Sequence, residues 1–333
     1  MDLFGNKIDF SKERLLITGS HGMVGNALLD RLEELVGGPL QFNIICLPQI
    51  GILDLRNEIA ALKMVSLYKP KYIVHLAAKV GGVKANSDFL ADFFTDNIRM
   101  NVNILRAAWE SRVEKVVSLL STCIYPDLCS YPLTEDQIHS GPPHQSNYAY
   151  AYAKRMLDIQ SQAYRDQFGC NFVTVVPNNL YGENDYFDLE NSHVVPAMIR
   201  KIYEATLSGD DVVLWGDGSP LREFTYARDL AEILLFTLEE YNERSPLNVG
   251  NTEEYSIKWV AETVAEIFNF KGRLVWDTSK PAGQFRKPSS NEKFKTMVET
   301  RGKNLEYTPF KEGLTRVCKW FKDSYNYDRI RGI

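Results

Sequence analysis

The stretch Leu15-Leu16-Ile17-Thr18-Gly19-Ser20-His21-Gly22-Met23-Val24-Gly25 decides the fold. A short apolar run ends in Thr18-Gly19. Val24, Leu28, Leu29, Leu32 and Leu35 then recur at helical spacing until Gly37-Gly38-Pro39 stops the pattern. Strand, glycine turn and helix follow in that order. Glycines let the backbone turn tightly and approach a pyrophosphate, and a helix N-terminus offers it unpaired N–H groups. GxxGxxG also fits an ordinary glycine-rich turn. Its place between the first strand and the first helix points to a dinucleotide.

Outward from this turn, strand and helix patterns alternate. Strand runs fall at 43–47, 72–76, 115–120 and 172–176, with helical patterns at 55–68, 96–109 and 150–167. The strand runs are continuously apolar, as in a parallel sheet covered on both faces. This predicts an α/β fold with a doubly wound parallel sheet of the Rossmann type. The second half is less regular. Short strands fit 212–215 and 247–249, and helices fit 194–208, 229–241, 257–268 and 313–325. Pro281 and Gly283 mark 279–283 as a loop. The expected division is a dinucleotide-binding domain over 1–180 plus about 227–245, and a smaller α+β substrate-binding domain over 181–226 and 246–333. The smaller lobe should close over the C-terminal edge of the sheet, where ligands bind in such folds.

The 333 residues suit about two domains. Lys and Arg total 38 against 43 Asp and Glu, a net charge of −5, so no strong basic field exists to hold nucleic acid or an anionic membrane. The N-terminus is polar before its first apolar run, unlike a signal peptide. Apolar runs are far shorter than the ~18 residues of a membrane helix. Five cysteines, an odd number, show no CxxC and no zinc-like His spacing. Reduced thiols in the cytoplasm and no metal site are expected.

Tyr150 and Lys154 form a YxxxK pair on one face of a predicted helix. A nearby ammonium favours phenolate, lowering a pKa that starts near ~10. Such a tyrosine can exchange a proton with a carbonyl or hydroxyl while hydride moves. YxxxK is common by chance, and Tyr307 and Lys311 match it too, although Pro309 between them argues against a regular helix. Ser121 follows the fourth strand, where a hydroxyl can bond a substrate oxygen or merely cap the strand. The order of glycine turn, Ser121 and YxxxK is the discriminating pattern. The residue after the second strand should separate NAD from NADP: a carboxylate for a ribose 2′-OH, a cation for a 2′-phosphate. Leu47-Pro48-Gln49-Ile50-Gly51-Ile52 offers neither, and His21 and Arg56 are the nearest candidate cations.

With these marks the sequence resembles the extended short-chain dehydrogenase/reductases and, among them, the GDP-L-fucose synthase family. The similarity covers nearly the whole chain. Its more specific carriers are Gly22-Met23-Val24-Gly25, Ala77-Ala78-Lys79-Val80-Gly81-Gly82, Ser121-Thr122-Cys123-Ile124-Tyr125-Pro126, Asn191-Ser192-His193-Val194-Val195-Pro196, Arg222-Glu223-Phe224 and Ser279-Lys280-Pro281. Pro177-Asn178-Asn179-Leu180-Tyr181-Gly182 marks the superfamily more broadly.

The resemblance implies 3,5-epimerisation and then NADPH-dependent 4-reduction of GDP-4-keto-6-deoxy-D-mannose, with NADH possible in place of NADPH. The ketone acidifies the protons at C3 and C5, so inversion needs a base on one face and an acid on the other. Cys123 and His193 are implied as that pair, and Ser121, Tyr150 and Lys154 as the reductive group. By their types alone, Cys123 also suits a buried apolar position and His193 a helix terminus. The resemblance further implies cofactor contacts from Gly19, Ser20, His21, Gly22, Met23, Val24, Gly25, Asp54, Leu55, Ala77, Ala78, Leu119, Leu120, Ser121, Thr122, Lys154, Pro177, Asn178, Asn179, Leu180 and His193. Lys201, Trp215, Arg222 and Asp277 are implied to grip the GDP-sugar. A homodimer through the helices at 97–109 and 150–167 is expected on the same ground. A 4,6-dehydratase normally wants an Asp-Glu pair where Cys123-Ile124 stands, a 4-epimerase has no need of the Cys/His pair, and a non-catalytic dinucleotide sensor tends to lose the Tyr or Lys.

Overall fold

The structure is a computed structural model that describes residues 1–46, 53–280 and 284–325. The stretch 47–52, on which the NAD-versus-NADP reading turns, and Pro281 to Gly283 of the expected loop lie outside the described residues.

Six strands form one parallel sheet: β1 (Leu15–Thr18), β2 (Ile44–Cys46), β3 (Tyr72–His75), β4 (Lys115–Leu119), β5 (Asn171–Pro177) and a late strand at Leu247–Val249. Between them run α1 (Met23–Val36), α2 (Glu58–Tyr68), α3 (Val83–Asp88), α4 (Leu90–Glu110) and α5 (Tyr148–Phe168). The spatial order is β2-β1-β3-β4-β5 and then the late strand. The chain runs outward from β1 to β2 and returns to β3 on the other side, so β1 and β3 flank the point where the order reverses. Strand residues alternate between two cores. Leu15 and Ile17 pack with α1, while Leu16 packs with α2 and α4. Both faces are dry, which explains the unbroken apolar runs. Gly37 ends α1 in the left-handed conformation at φ 69°, and Asn57 caps α2 through Ala60 N–H at 3.0 Å.

After β5 the chain forms β6 (Asn179–Tyr181), α6 (Val194–Ser208), β7 (Val212–Trp215), β8 (Leu221–Tyr226), α7 (Ala227–Glu240), β9 (the late strand), β10 (Glu254–Ser256), α8 (Ile257–Ile267), β11 (Leu274–Asp277), α9 (Glu292–Thr300) and α10 (Phe310–Tyr325). Of these, β10-β8-β6 make a three-stranded sheet and β11-β7 a two-stranded one. α6, α8 and α10 share a third core that includes Tyr181, Phe224 and Phe310.

Two expectations change. α4 begins at Leu90, six residues before the predicted start, because Phe93 is buried and Asn97 holds the Lys79 backbone rather than ending the helix. A boundary at 246 would assign 247–249 to the smaller lobe, yet β9 pairs with β5, and Phe294 and Val298 of α9 join the core that carries α1 and α7. The short apolar run finds its partner in the large sheet because an unpaired buried strand edge would leave backbone groups unsatisfied.

Candidate functional site

Because the strands are parallel, Gly19, Leu76 to Ala78, Ser121 and Asn178 all emerge at the same C-terminal edge. Thr18 binds the two loops nearest the reversal point. Its carbonyl accepts from Leu76 N–H at 3.2 Å, and its hydroxyl accepts from Leu76 and Ala77 N–H at 3.1 Å each.

The glycine turn is a closed cradle. Gly19 has φ 70° and lies so near the Ala77 backbone that a Cβ there would meet Ala77 N at 2.8 Å. A Cβ on Gly25 would stand 2.4 Å from Gly19 O. Gly22 is the N-cap of α1 and supplies no side-chain cap, so the first-turn N–H groups of Met23, Val24 and Gly25 have no intrahelical partner. These orphan donors, backed by the helix dipole, fit a dinucleotide pyrophosphate. Ser20 is buried, and its hydroxyl meets His21 Nδ1 at 3.2 Å. Leu55 packs in the core, leaving its backbone for other work, and its carbonyl accepts from Asn103. Arg56, a candidate for a 2′-phosphate, is tied up instead. It donates to both oxygens of Asp54, at 2.8 to 3.0 Å, and to Asp96 at 3.2 Å.

Ser121 and Cys123 open the 3-10 turn Thr122–Ile124, directly after β4 and Leu120. The Cys123 thiol donates to Ser121 Oγ at 3.1 Å. Arg155 holds the turn from behind, donating to Ile124 O at 2.5 Å and Gly141 O at 2.6 Å. Tyr150 and Lys154 lie one turn apart on α5, and the Lys154 ammonium sits 5.9 Å from the Tyr150 ring centre. It is buried and donates to Leu119 O at 2.7 Å. Burial lowers Lys154 to about 8, against the pull of Cys123. The Tyr150 phenol departs from the expected direction. Burial, and then Cys123 beside it, push it well above its usual value. The ammonium is engaged by a carbonyl rather than by the phenol, so desolvation wins and the phenol stays protonated. Burial also raises the Cys123 thiol, against the pull of Ser121, Lys287 and Lys154.

His193 is the exposed N-cap residue of α6, yet its ring makes no capping hydrogen bond. The helix-terminus reading therefore does not account for it. A chain of contacts joins its loop to Tyr150. Gly82 N–H donates to Asn191 O at 2.8 Å, a Cβ on Gly81 would touch Phe93 at 3.2 Å, and Phe93 meets the Tyr150 ring edge-on at 6.3 Å.

In the smaller lobe, Trp215 and Asp277 are register partners at the ends of β7 and β11. Trp215 is exposed, with Lys280 5.9 Å over its ring. Asp277 accepts the Ser279 N–H and hydroxyl, so its carboxyl lies below the usual range. Arg222 on β8 donates to the carbonyls of Leu221, at 2.7 Å, and Phe285, at 3.4 Å. Lys201 on α6 is half-buried and lowered by burial. Among the described residues, neither meets a carboxylate. Asn178 and Asn179, after β5, reach across to β8. The Asn179 amide donates to Glu223 O at 2.8 Å, and Asn178 Oδ1 accepts from Thr225 at 2.6 Å.

Sequence reasoning passed over a buried polar group beneath Lys154. His75 Nδ1 meets Thr18 Oγ1 at 2.7 Å and Nε2 meets Asn101 Oδ1 at 3.1 Å. Burial, and then the Lys154 charge, lower His75 to about 4. A histidine inside an otherwise apolar strand run was the available signal. It also gave no role to Lys287 or Glu223, whose surroundings arise from contacts distant in sequence.

The comparisons agree with this architecture. The model of the NAD dependent epimerase/dehydratase family matches residues 15–250. A GDP-L-fucose synthase from Dictyostelium discoideum is 40% identical over 96% of this chain and 98% of its own length. A probable GDP-L-fucose synthase from Drosophila melanogaster is 38% identical over 96% and 99%. The crystal structure of a GDP-L-fucose synthetase from Naegleria fowleri bound to NADP superposes with a TM-score of 0.86 at 38% identity, covering 96% of each chain. A matching family model over most of the chain and full-length relatives at this identity leave one conclusion: the chain belongs to the NAD dependent epimerase/dehydratase family and, within it, to the GDP-L-fucose synthases.

Proposed function

We infer that this protein is a bifunctional, NADP-dependent epimerase and reductase that converts GDP-4-keto-6-deoxy-D-mannose to GDP-L-fucose. The observation that carries the reading is the Cys123 thiol bonded to Ser121 Oγ at 3.1 Å, on the turn that faces Tyr150 and Lys154. Two chemistries then share one pocket.

Cys123 and His193 act on opposite faces of the sugar at C3 and C5. The base takes a carbon-bound proton, the electron pair moves onto the ketone oxygen as an enolate, and the acid returns a proton to the other face. Ser121 donates a hydrogen bond to that oxygen as charge develops. Tyr150, kept protonated by burial, gives its phenolic proton to the C4 oxygen, and the Lys154 ammonium supports the charge change. Bound in the glycine cradle, NADPH would supply the hydride for C4. The glycine turn from Gly19 to Gly25 would hold the pyrophosphate, and Ala77, Ala78, Leu119, Leu120, Thr122 and Pro177 to Leu180 would line the remainder. His193 borders both ligands. Asp54 and Leu55 would offer backbone or a shared carboxylate to the adenosine end. Lys201 and Arg222 hold the GDP diphosphate, Trp215 offers a flat apolar face and Asp277 accepts from hydroxyls. In this reading the nucleotide lobe includes β9 and the first turns of α9, and the rest of the second half is the substrate lobe.

The same reading includes a cytoplasmic homodimer. α4 and α5 expose Val102, Trp109, Met156 and Ile159, an apolar face of the kind that pairs between copies. Among the described residues no helix is long and apolar enough to cross a membrane. Light scattering of the purified protein tests the dimer.

The functional test is incubation with GDP-4-keto-6-deoxy-D-mannose and NADPH, following cofactor absorbance and product identity. GDP-L-fucose with stoichiometric NADPH oxidation is expected. An unchanged cofactor signal with the substrate bound would sink the reductase claim. Cys123→Ser should cripple epimerisation more than reduction of an already epimerised ketone. Equal loss of both would remove Cys123 as the base.

A further inference from the structure

Gly81 and Gly82 stand between the two chemistries. They end the loop that follows β3, and Gly82 is the N-cap of α3 at φ −66° and ψ −179°. Neither glycine occupies the left-handed region, so alanine could adopt the same backbone. What each position lacks is room. A Cβ on Gly82 would stand 2.5 Å from Ser192 O and 3.4 Å from Asn191 O. A Cβ on Gly81 would meet Ala85 Cβ at 3.0 Å and Phe93 Cζ at 3.2 Å, with Asn191 O at an ordinary 3.5 Å. Adjacent residues therefore press on different neighbours.

One buried side chain holds both carbonyls. Asn86 Nδ2 donates to Gly81 O at 2.7 Å and to Gly82 O at 3.0 Å. On the outer side, Gly82 N–H donates to Asn191 O at 2.8 Å. The receiving loop is closed on itself. Asp188 Oδ1 accepts from Glu190 N–H at 3.0 Å, Asn191 N–H at 2.7 Å and the Asn191 amide at 2.9 Å, and Asp188 O accepts from Ser192 N–H at 3.2 Å. His193 comes next, and its carbonyl accepts from Ala197 N–H at 3.2 Å as α6 begins. The His193 backbone is thus held from both ends, by the helix and by the docked Asn191-Ser192. On the inner side, buried Phe93 carries the Gly81 contact to Tyr150, whose ring it meets edge-on at 6.3 Å. A close-packed interior passes such a displacement on rather than absorbing it.

We propose that Gly81 and Gly82 are positioning residues that each serve one chemistry: Gly82 places His193 for inversion, and Gly81 places Tyr150 for reduction. The proposal rests on the reading of Cys123 and His193 as the epimerising pair and of Tyr150 as the proton donor. In the step that depends on Gly82, the base takes the carbon-bound proton and the electron pair moves onto the ketone oxygen. The His193 side chain then gives its proton to carbon on the other face as the pair returns.

The test takes three readings on the full-length protein: conversion of GDP-4-keto-6-deoxy-D-mannose to GDP-L-fucose, reduction of an already epimerised ketone, and deuterium uptake from D2O at C3 and C5 without NADPH. In Gly82→Ala, kcat for the full conversion should fall about 100-fold, as for about 1 Å of misplacement. Reduction of the epimerised ketone should be little changed. Deuterium uptake should persist, because the proton is still taken and then returned on its original face. In Gly81→Ala, reduction of the epimerised ketone should fall about tenfold, from a shift of a few tenths of an ångström, with deuterium uptake little changed. Asp188→Ala opens the loop without filling the gap. It should repeat the Gly82→Ala pattern in milder form, and it decides the matter if the Gly82 variant does not fold. Equal loss of conversion and of reduction in Gly82→Ala or Asp188→Ala overturns the proposal. So does a raised KM for the GDP-sugar with kcat unchanged, which would make the turn only a wall of the sugar pocket. In a His193→Ala background, Gly82→Ala should add no further loss, and an added loss overturns the action through His193. Unimpaired inversion in His193→Ala alone would overturn the reading of His193 and with it the part given to Gly82, while Gly81→Ala still decides the other half.

Discussion

The two regions proposed to face ligands handle positive charge in opposite ways. Beside the glycine cradle, the cations are already neutralised. Arg56 pairs with Asp54 and Asp96, and Lys79 with Asp92 and Asp96. In the smaller lobe, Lys201, Arg222 and Lys287 meet no carboxylate within ion-pairing distance among the described residues, and burial lowers all three. One region therefore presents backbone N–H groups and a helix dipole to an anion, and the other presents side-chain charge. A backbone cradle is shaped by where a Cβ is missing. A cation cluster is tuned by what remains unpaired.

Four measurements would break or sharpen this contrast, and the largest effect belongs to the unpaired cations. Arg222→Ala removes a charge with no carboxylate to release, so its loss falls on the ligand. KM for the GDP-sugar should rise at least about 30-fold, from about 2–5 kcal/mol for truncating a buried charged partner, with KM for NADPH little changed. A rise in the NADPH constant instead would erase the division between the regions.

Gly25→Ala should act on the other region. Its Cβ would stand 2.4 Å from a backbone carbonyl that no side-chain rotation relieves. Overpacking of about 1–3 kcal/mol corresponds to about 5- to 160-fold weaker NADPH binding, read by fluorescence titration. Unchanged NADPH affinity would mean that the cradle is not where the pyrophosphate rests.

The pH profile separates the two chemistries in the shared pocket. Lys154 is lowered to about 8, so its charge is present below that pH and is lost as pH rises through it. Reduction of an already epimerised ketone should decline above about pH 8, approaching tenfold per unit. In the proposed mechanism epimerisation needs an ionised Cys123, whose thiol is raised by burial, so that step should climb over the same range. Parallel profiles for both steps would contradict separate groups.

Arg56→Ala should do least. Its charge already belongs to Asp54 and Asp96 on a partly exposed surface, where such pairs contribute about 0–1 kcal/mol. NADPH affinity should change by less than about fivefold. A larger loss would show that Arg56 leaves its carboxylates for the cofactor.

The readable parts of the sequence were those whose physics is local. Apolar period, capping and helix stops place β1, α1, β3, β4 and α6 to within a residue or two of where they lie. The YxxxK spacing puts Tyr150 and Lys154 on one face because a helical turn dictates it. Reading faltered where burial competes with charge. The YxxxK pattern predicts an ammonium easing the phenol, but Lys154 bonds Leu119 O, and desolvation governs Tyr150. It also faltered where pairing is distant. Leu247–Val249 is too short to announce its partner, and only β5 decides that it closes the large sheet.

The sequence by itself determined the glycine turn, the alternation of strands and helices through β5, and the residue types at the candidate site. Each depends on interactions within a turn or two, where spacing is geometry. Only the tertiary structure decided which cations lack an ion-pair partner among the described residues, and that Lys287 comes within electrostatic reach of Cys123. Those residues are 164 positions apart in the chain. Their approach depends on the pinning of Ser289 by Glu223 and of Pro288 by Leu133. Charge and desolvation act through space, so no pattern along the chain encodes their balance.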